Sequence, residues 1–210
     1  MNTQEYDFDT IANDLFAPIY PDIAKAMVER TGVSAGRLLD VGCGGGHMGF
    51  AVMALGDFTA DFCDIEPKAV LAAARRAGEL GLSQKVSFHT ADVHALPFPD
   101  QTFDLIVSRG SMPFWSDQEK AFHELYRVLR PGGWAYIGGG LGGARHQKPI
   151  REQMERQKLD MRCFSKEHSK ALSTEEYIRL FQELRCAYRV IENPDEGRWF
   201  IFGKDRDRNE

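Results

Sequence analysis

Leu38-Leu39-Asp40-Val41-Gly42-Cys43-Gly44-Gly45-Gly46-His47-Met48-Gly49-Phe50 decides how this chain is read. A short apolar run ends at an acid. A glycine-rich turn follows, and then a helical pattern begins at Phe50, Ala51, Met53, Ala54 and Leu55. Strand, turn and helix in that order open a βαβ unit. Glycines at 42, 44 and 46 let the backbone turn sharply and let a ligand lie against bare main chain. Free N–H groups at the helix start are suited to a carboxylate or phosphate. Gly44, Gly46 and Gly49 also satisfy the dinucleotide string G-x-G-x-x-G. Its first glycine would then lie three residues beyond Val41, whereas a dinucleotide turn begins at the strand end. Counted from the strand end, the pattern is Asp40-x-Gly42-x-Gly44-x-Gly46.

Working outward, Asp64 ends the next apolar strand, 20 residues after Gly44. A carboxylate there can accept both hydroxyls of a ribose. The bland alternative is a surface acid capping the helix that opens at Pro67, and Glu66 is a second choice for the ribose acid. Further on stands Ala91-Asp92-Val93-His94-Ala95-Leu96-Pro97-Phe98-Pro99-Asp100-Gln101-Thr102-Phe103-Asp104-Leu105-Ile106-Val107-Ser108. After it comes Tyr126-Arg127-Val128-Leu129-Arg130-Pro131-Gly132-Gly133.

These three stretches, in this order and spacing, resemble the motifs of the class I S-adenosylmethionine (SAM) methyltransferases, in particular the small-molecule branch. The resemblance is firm over residues 36–140 and rests on topology elsewhere. It implies that the loop with Asp40, Gly42, Gly44 and Gly46 faces the methionine and ribose of SAM, with Asp64 on the ribose. The acid after the third strand, Asp92, would meet the adenine amino group, and the backbone of Val93 the ring. Ile65 and Ser108 complete the implied cofactor set. Ala91 departs from the family's usual glycine. The product would be S-adenosylhomocysteine. The Arg127–Gly133 corner is expected to end a helix and enter the sheet, without chemistry, and Asp104 to pair with nearby main chain.

The remaining pattern fits an α/β fold: a doubly wound, seven-stranded, mostly parallel sheet with helices on both faces and a C-terminal antiparallel hairpin. Strands are predicted at 36–41, 59–65, 86–88, 103–108, 134–137, 186–192 and 199–204. Helices are predicted at 47–55, 67–80, 117–130, 149–160 and 174–184. The last is capped by Ser173 with Glu176 three residues on. Residues 8–31 carry helical spacing broken by Pro18 and Pro21, so two short helices with a bend are expected there. The whole of 1–210 reads as one domain, with 1–32 a helical lid and 138–173 an insertion that caps the substrate.

Composition narrows the function classes. The chain has 210 residues, 43% of them hydrophobic, with a formal net charge of −5. That supports a full core and gives no whole-chain attraction to nucleic acid or membrane. No run approaches the ~18–20 apolar residues of a span, and the first residues show no secretory pattern, so a cytoplasmic location is expected. The four cysteines (Cys43, Cys63, Cys163, Cys186) fit no zinc spacing. They read as reduced thiols, with a redox or soft-metal role open for Cys163. No metal site is expected. Oligomeric state is not legible.

Catalytic groups are harder to find. Methyl transfer from a sulfonium is an in-line displacement, for which alignment and exclusion of water do most of the work. A base is needed only where the acceptor loses a proton. After the fourth strand come Ser108-Arg109-Gly110-Ser111-Met112-Pro113-Phe114-Trp115. This is not the N/D-P-P-Y motif of enzymes that methylate the amino groups of nucleic acids, so a small-molecule acceptor is expected. Arg109 has no deprotonated form. It would hold a carboxylate or phosphate of the acceptor, or else pair with a loop acid. Phe114 and Trp115 either wall the pocket or pack beneath the cap. His146, on a rim with Arg145 and Lys148, is the first candidate for a base; Phe16-Ala17-Pro18-Ile19-Tyr20 reads as core packing or, alternatively, as a lid over the cofactor pocket with Tyr20 near the methionine end. His47 would line the methionine pocket; His89, His94, His123 and His168 read as surface or packing residues. Two other readings stay open. One is a SAM-binding sensor or partner without turnover, and the other an NAD-dependent oxidoreductase.

Overall fold

A computed structural model describes residues 8–157 and 172–205. The apolar run before the glycine turn is β1 (Ala35–Val41), and every other strand is placed from it. β2 (Asp57–Asp64) lies on one side of β1, with β3 (Val86–Thr90) beyond it. β4 (Phe103–Arg109) lies on the other side, followed by β5 (Leu129–Gly139). All of these are parallel. β7 (Gly197–Gly203) inserts antiparallel beside β5, and β6 (Ala187–Asn193) pairs antiparallel with β7. The order is β3-β2-β1-β4-β5-β7-β6, so β7 alone opposes the rest. The predicted seven-stranded sheet and closing hairpin are both present. The strand order reverses at β1 and β4, where ligands of open α/β sheets bind.

Adjacent residues of a strand face opposite sides, so Leu38 and Leu39 enter different cores. Leu38 joins Phe58, Phe62, Leu105 and Val107 under α2 (Tyr20–Thr31), α3 (His47–Met53) and α4 (Pro67–Glu79). Leu39 joins Ile106, Ala135, Phe200 and Phe202 under α5 (Gln118–Val128) and a C-terminal helix, Thr174–Glu183. Phe122 is fully buried at the centre of this second layer, with Trp115, Tyr177, Phe181, Phe200 and Phe202 around its ring. Burying a side chain of this size is worth roughly 1.5–3 kcal/mol.

Four local expectations need correction. The helix predicted to reach residue 130 stops at Val128, and Pro131-Gly132-Gly133 lies inside β5 as a bulge, where the pairing with β4 slips between Phe103 and Leu105. A proline without an N–H and a glycine at φ +83° suit such a bulge. The helix predicted at 149–160 starts earlier, as α6 (Ala144–Arg156), with Pro149 inside it. The N-terminal segment, expected as two short helices with a bend, is more continuous than that. A turn of α-helix, α1 (Phe8–Ile11), passes into a π-helical turn (Ala12–Phe16), then a 3-10 turn (Ala17–Ile19), then α2. The hairpin turn is also tighter, with strand pairing closing at Asn193 and Gly197. The capping box at Ser173 and Glu176 is formed, with the Ser173 N–H donating to Glu176 (2.7 Å) and the Glu176 N–H to the Ser173 hydroxyl (3.2 Å). Cys163, His168 and the second half of the proposed cap lie outside the described residues, as does the start of the lid.

Candidate cofactor and acceptor site

The turn after β1 is as the glycine spacing requires. Gly42, Gly44 and Gly46 all have positive φ (+63°, +52° and +80°), a region other residues rarely adopt. Gly42 is doubly constrained, because a Cβ there would sit 2.2 Å from Cβ of Ser111. Gly49 belongs to α3, and its N–H donates to Asp40 Oδ2 (2.8 Å). It packs closely against Phe62 of β2, helix against strand.

Parallel pairing of β1 with β2 and of β2 with β3 carries the three acids to one edge. Asp64 Oδ2 accepts from the Gly44 N–H (2.8 Å) and its Oδ1 from the Glu66 N–H (3.0 Å). The Ala91 N–H donates to the Asp64 carbonyl (3.0 Å), which sets Asp92 beside it. Asp40 is 1% exposed, and burial pushes its carboxyl up to about 7 against the pull of the Gly49 N–H. Burial also raises Asp64. Asp92 is half-exposed and held low; burial opposes this, but the backbone and ring of His94 outweigh it. Ile65 is 61% exposed, an apolar side chain standing clear beside Asp64, while the Val93 side chain is buried. Ser108 is fully buried, its Oγ 2.6 Å from Ser111 Oγ, which in turn donates to the Val41 carbonyl.

The catalytic candidates separate into two groups. Arg109 and Tyr20 come together. The Arg109 guanidinium lies 4.4 Å from the Phe16 ring centroid and 5.3 Å from that of Tyr20, and donates to the Gly140 carbonyl (3.2 Å). Its Nε is buried with no hydrogen-bond partner among the described residues. Tyr20 stacks on His47, with centroids 5.2 Å apart. Burial raises the Tyr20 hydroxyl above its ordinary value although Arg109 pulls the other way, so it remains a proton donor at neutral pH. His146 goes elsewhere. Its Nε2 is 2.6 Å from Asp22 Oδ2, a carboxylate that also takes Arg145. The rim expected to be cationic is therefore tied down by an acid of α2. Trp115 is buried and Phe114 exposed, so only the latter can wall a pocket.

Sequence reasoning missed the way the N-terminal segment is fastened. His47 Nε2 is 2.9 Å from Asn13 Oδ1, and burial, reinforced by Arg76, drops its imidazole to about 4. The ring is thus neutral and donates to Asn13. Arg76 reaches Asp9 (3.2 Å), Asn13 (3.0 Å) and the Gly45 carbonyl. Nothing local in Asp9 or Asn13 marks them for the glycine loop. The role of the glycine run 138–143 is clearer. A Cβ at Gly140 would strike the Glu196 carbonyl and one at Gly142 the Ile19 side chain, so close approach of other segments accounts for it. Among the described residues no three metal-ligating groups converge. No helix there is long and apolar enough to cross a membrane.

A glycine turn at the switch point, with acids 40, 64 and 92 around it, marks an α/β protein made to hold a nucleoside. Comparison with known proteins specifies the kind. A methyltransferase-domain family matches residues 38–133. A solved structure from Methanococcus maripaludis, described as a candidate SAM-dependent methyltransferase, is 34% identical, with TM-score 0.85 over 100% of this chain and 99% of that one. The methyltransferase GfsG of Streptomyces halstedii is 36% identical over 112 residues, 53% of this chain and 40% of its own. The ubiquinone/menaquinone biosynthesis C-methyltransferase UbiE of an Enterobacter species is 30% identical over 158 residues, 63% of each chain. The chain thus spans less than two thirds of the length of these curated relatives. This chain belongs to the class I SAM-dependent methyltransferases. SAM is the cofactor of that family, and the NAD reading falls away.

Proposed function

We propose that this protein transfers a methyl group from SAM to a small acceptor bearing a carboxylate or phosphate, which Arg109 holds. In this reading the loop 42–46 receives the methionine and ribose, Asp64 the ribose hydroxyls, Asp92 and the Val93 backbone the adenine, and Ile65 covers the ring. Asp40, buried opposite no cation among the described residues, suits the cofactor's ammonium. Ser108 supports the loop through Ser111. The first part of the insertion, 138–157, closes on the lid through Arg145, His146 and Asp22.

When bound, SAM supplies the methyl on a sulfonium. The residues of this chain have three tasks: to align the acceptor, to keep water out and to hold its charge. The lid aromatics Phe16 and Tyr20 brace the guanidinium of Arg109 against the end of β4. Tyr20, still protonated, can donate to an acceptor oxygen. Among the described residues the neutral His47, stacked on Tyr20, is already hydrogen-bonded to Asn13, and an acceptor that attacks already deprotonated or with a lone pair needs no base here.

The observation that carries the reading is Arg109 itself: a half-buried guanidinium facing aromatics, its Nε buried and bare, with no carboxylate opposite among the described residues. Buried charges are normally paired. The test is a screen of metabolites for SAM-dependent release of S-adenosylhomocysteine, followed by Arg109→Gln. An anionic acceptor should be used by the native protein. The variant should lose turnover by about a hundredfold and keep its SAM affinity. If SAM affinity falls in step, Arg109 holds the cofactor and the anionic-acceptor reading is wrong. The tie of the first candidate base, His146, to Asp22 supports a second reading, SAM binding without turnover. Tight SAM binding with no turnover across the whole screen would favour it.

A further inference from the structure

His94 reads from the sequence as a surface or packing residue, yet it bridges the acid after β3 and the N-cap of α5. Asp92 Oδ1 accepts both the His94 backbone N–H (2.9 Å) and the ring at Nδ1 (2.5 Å). The opposite ring nitrogen, Nε2, accepts the backbone N–H of Asp117 (3.1 Å). With Nε2 accepting, the ring proton belongs on Nδ1 and is donated to Asp92. Asp117 is the N-cap of α5, its Oδ1 accepting the Lys120 N–H (2.9 Å). It also closes the loop that begins at Arg109 and carries Met112, Phe114 and Trp115. One imidazole, 12% exposed, therefore joins the acid after β3 to the far end of the loop after β4.

We propose that His94 is a positioning residue, which fixes the Asp92 carboxylate for the exocyclic amino group of the cofactor and anchors the acceptor-side loop to it. The inference rests on the assignment of Asp92 to adenine. Asp92 is half-exposed, and a short acid side chain in that position rotates freely unless held. The backbone N–H of His94 alone fixes one oxygen. The ring adds a second bond to the same oxygen, which leaves Oδ2 without a hydrogen bond to His94 and available for a donor. Orientation of a hydrogen-bond acceptor is what separates an amino group from an oxygen at the same place on a base.

The experiment compares S-adenosylhomocysteine with its inosine counterpart, which carries oxygen in place of the amino group, by isothermal titration calorimetry. The native protein should prefer the adenine form by about tenfold or more. Asp92→Ala should abolish the preference. His94→Phe, which keeps a flat ring without hydrogen bonds, should cut it at least threefold. His94→Asn, whose amide places a donor near the Nδ1 position, should restore most of it. Should His94→Phe fail to fold, His94→Ala takes its place in the comparison. If Asp92→Ala keeps the full preference, the adenine assignment itself is wrong. If Asp92→Ala loses it while the ring-removing variant at 94 keeps the native ratio, the assignment stands and the role of His94 is refuted. A loss that His94→Asn fails to restore refutes it as well, since packing alone would then explain the effect.

Discussion

Asp40 is a buried carboxylate whose hydrogen-bond donor is the Gly49 N–H, and the fold pays for it whenever the group is ionised. Its folded value of about 7 lies above the unfolded 3.8. The protonated form is thus favoured by folding. The stabilisation is complete below the unfolded value and is lost as pH rises through about 7, by about 4 kcal/mol at most. Asp40→Asn keeps an acceptor for Gly49 and cannot ionise. Denaturant titrations of the ligand-free variant from pH 5 to 8.5 should therefore lack this decline, leaving the variant more stable than the native protein at pH 8. The same variant should bind SAM about tenfold more weakly, through loss of a charge opposite the ammonium. Native stability that does not fall with pH would show that Asp40 is not the strained group described here. At this scale the sequence was informative only where local geometry follows from position along the chain. Asp64 and Asp92 announce themselves by position after a strand. The tie of His146 to Asp22 does not, because it joins residues 124 apart in sequence.

The turn after β1 is the element on which most depends, and its glycines differ in what they need. Gly44 needs only a left-handed backbone, since a Cβ there would meet nothing within 4 Å. Gly42 needs that backbone and also room for Ser111. Gly42→Ala should therefore destabilise the protein by about 2–4 kcal/mol, more than Gly44→Ala, whose cost is about 1–2 kcal/mol. Adding Ser111→Gly to Gly42→Ala should recover the steric part and leave the strain. Chemical unfolding of the four proteins measures this directly, and equal costs at 42 and 44 would mean Ser111 gives way freely. The turn was legible because glycine spacing encodes backbone conformation. The bulge at Pro131-Gly132-Gly133 was not, since the same residues suit a helix stop equally well. Only the slip in pairing with β4 decides between them. The start of α6 was missed for a related reason. Pro149 reads as a first helical residue, but the helix already runs through it from Ala144.

Across the whole molecule the sheet divides two cores of unlike character. The layer under α5 and Thr174–Glu183 is dominated by aromatics gathered on Phe122, none of which is proposed to touch the cofactor. Phe122→Ala should cost about 3–5 kcal/mol, lowering Tm by roughly 10 °C in a chain of this size. If it still folds, it should bind S-adenosylhomocysteine as the native protein does. A loss of affinity beyond what the unfolded fraction explains would mean the two layers are coupled. The overall architecture was readable because strand and helix periods alternate along the chain.

The π-helical turn at Ala12–Phe16 holds one residue more than an α-helix would place there. Towards its N-terminal end, Asp9 and Asn13 meet Arg76 of α4 and His47 at the start of α3; towards its C-terminal end, Phe16 and Tyr20 meet Arg109. Each residue of an α-helix turns the chain by about 100°. Excising exposed Asp14 would let the segment relax into a regular spiral while swinging its two ends out of phase. The surplus residue acts as a vernier, letting a single segment grip both the cofactor loop and the acceptor corner.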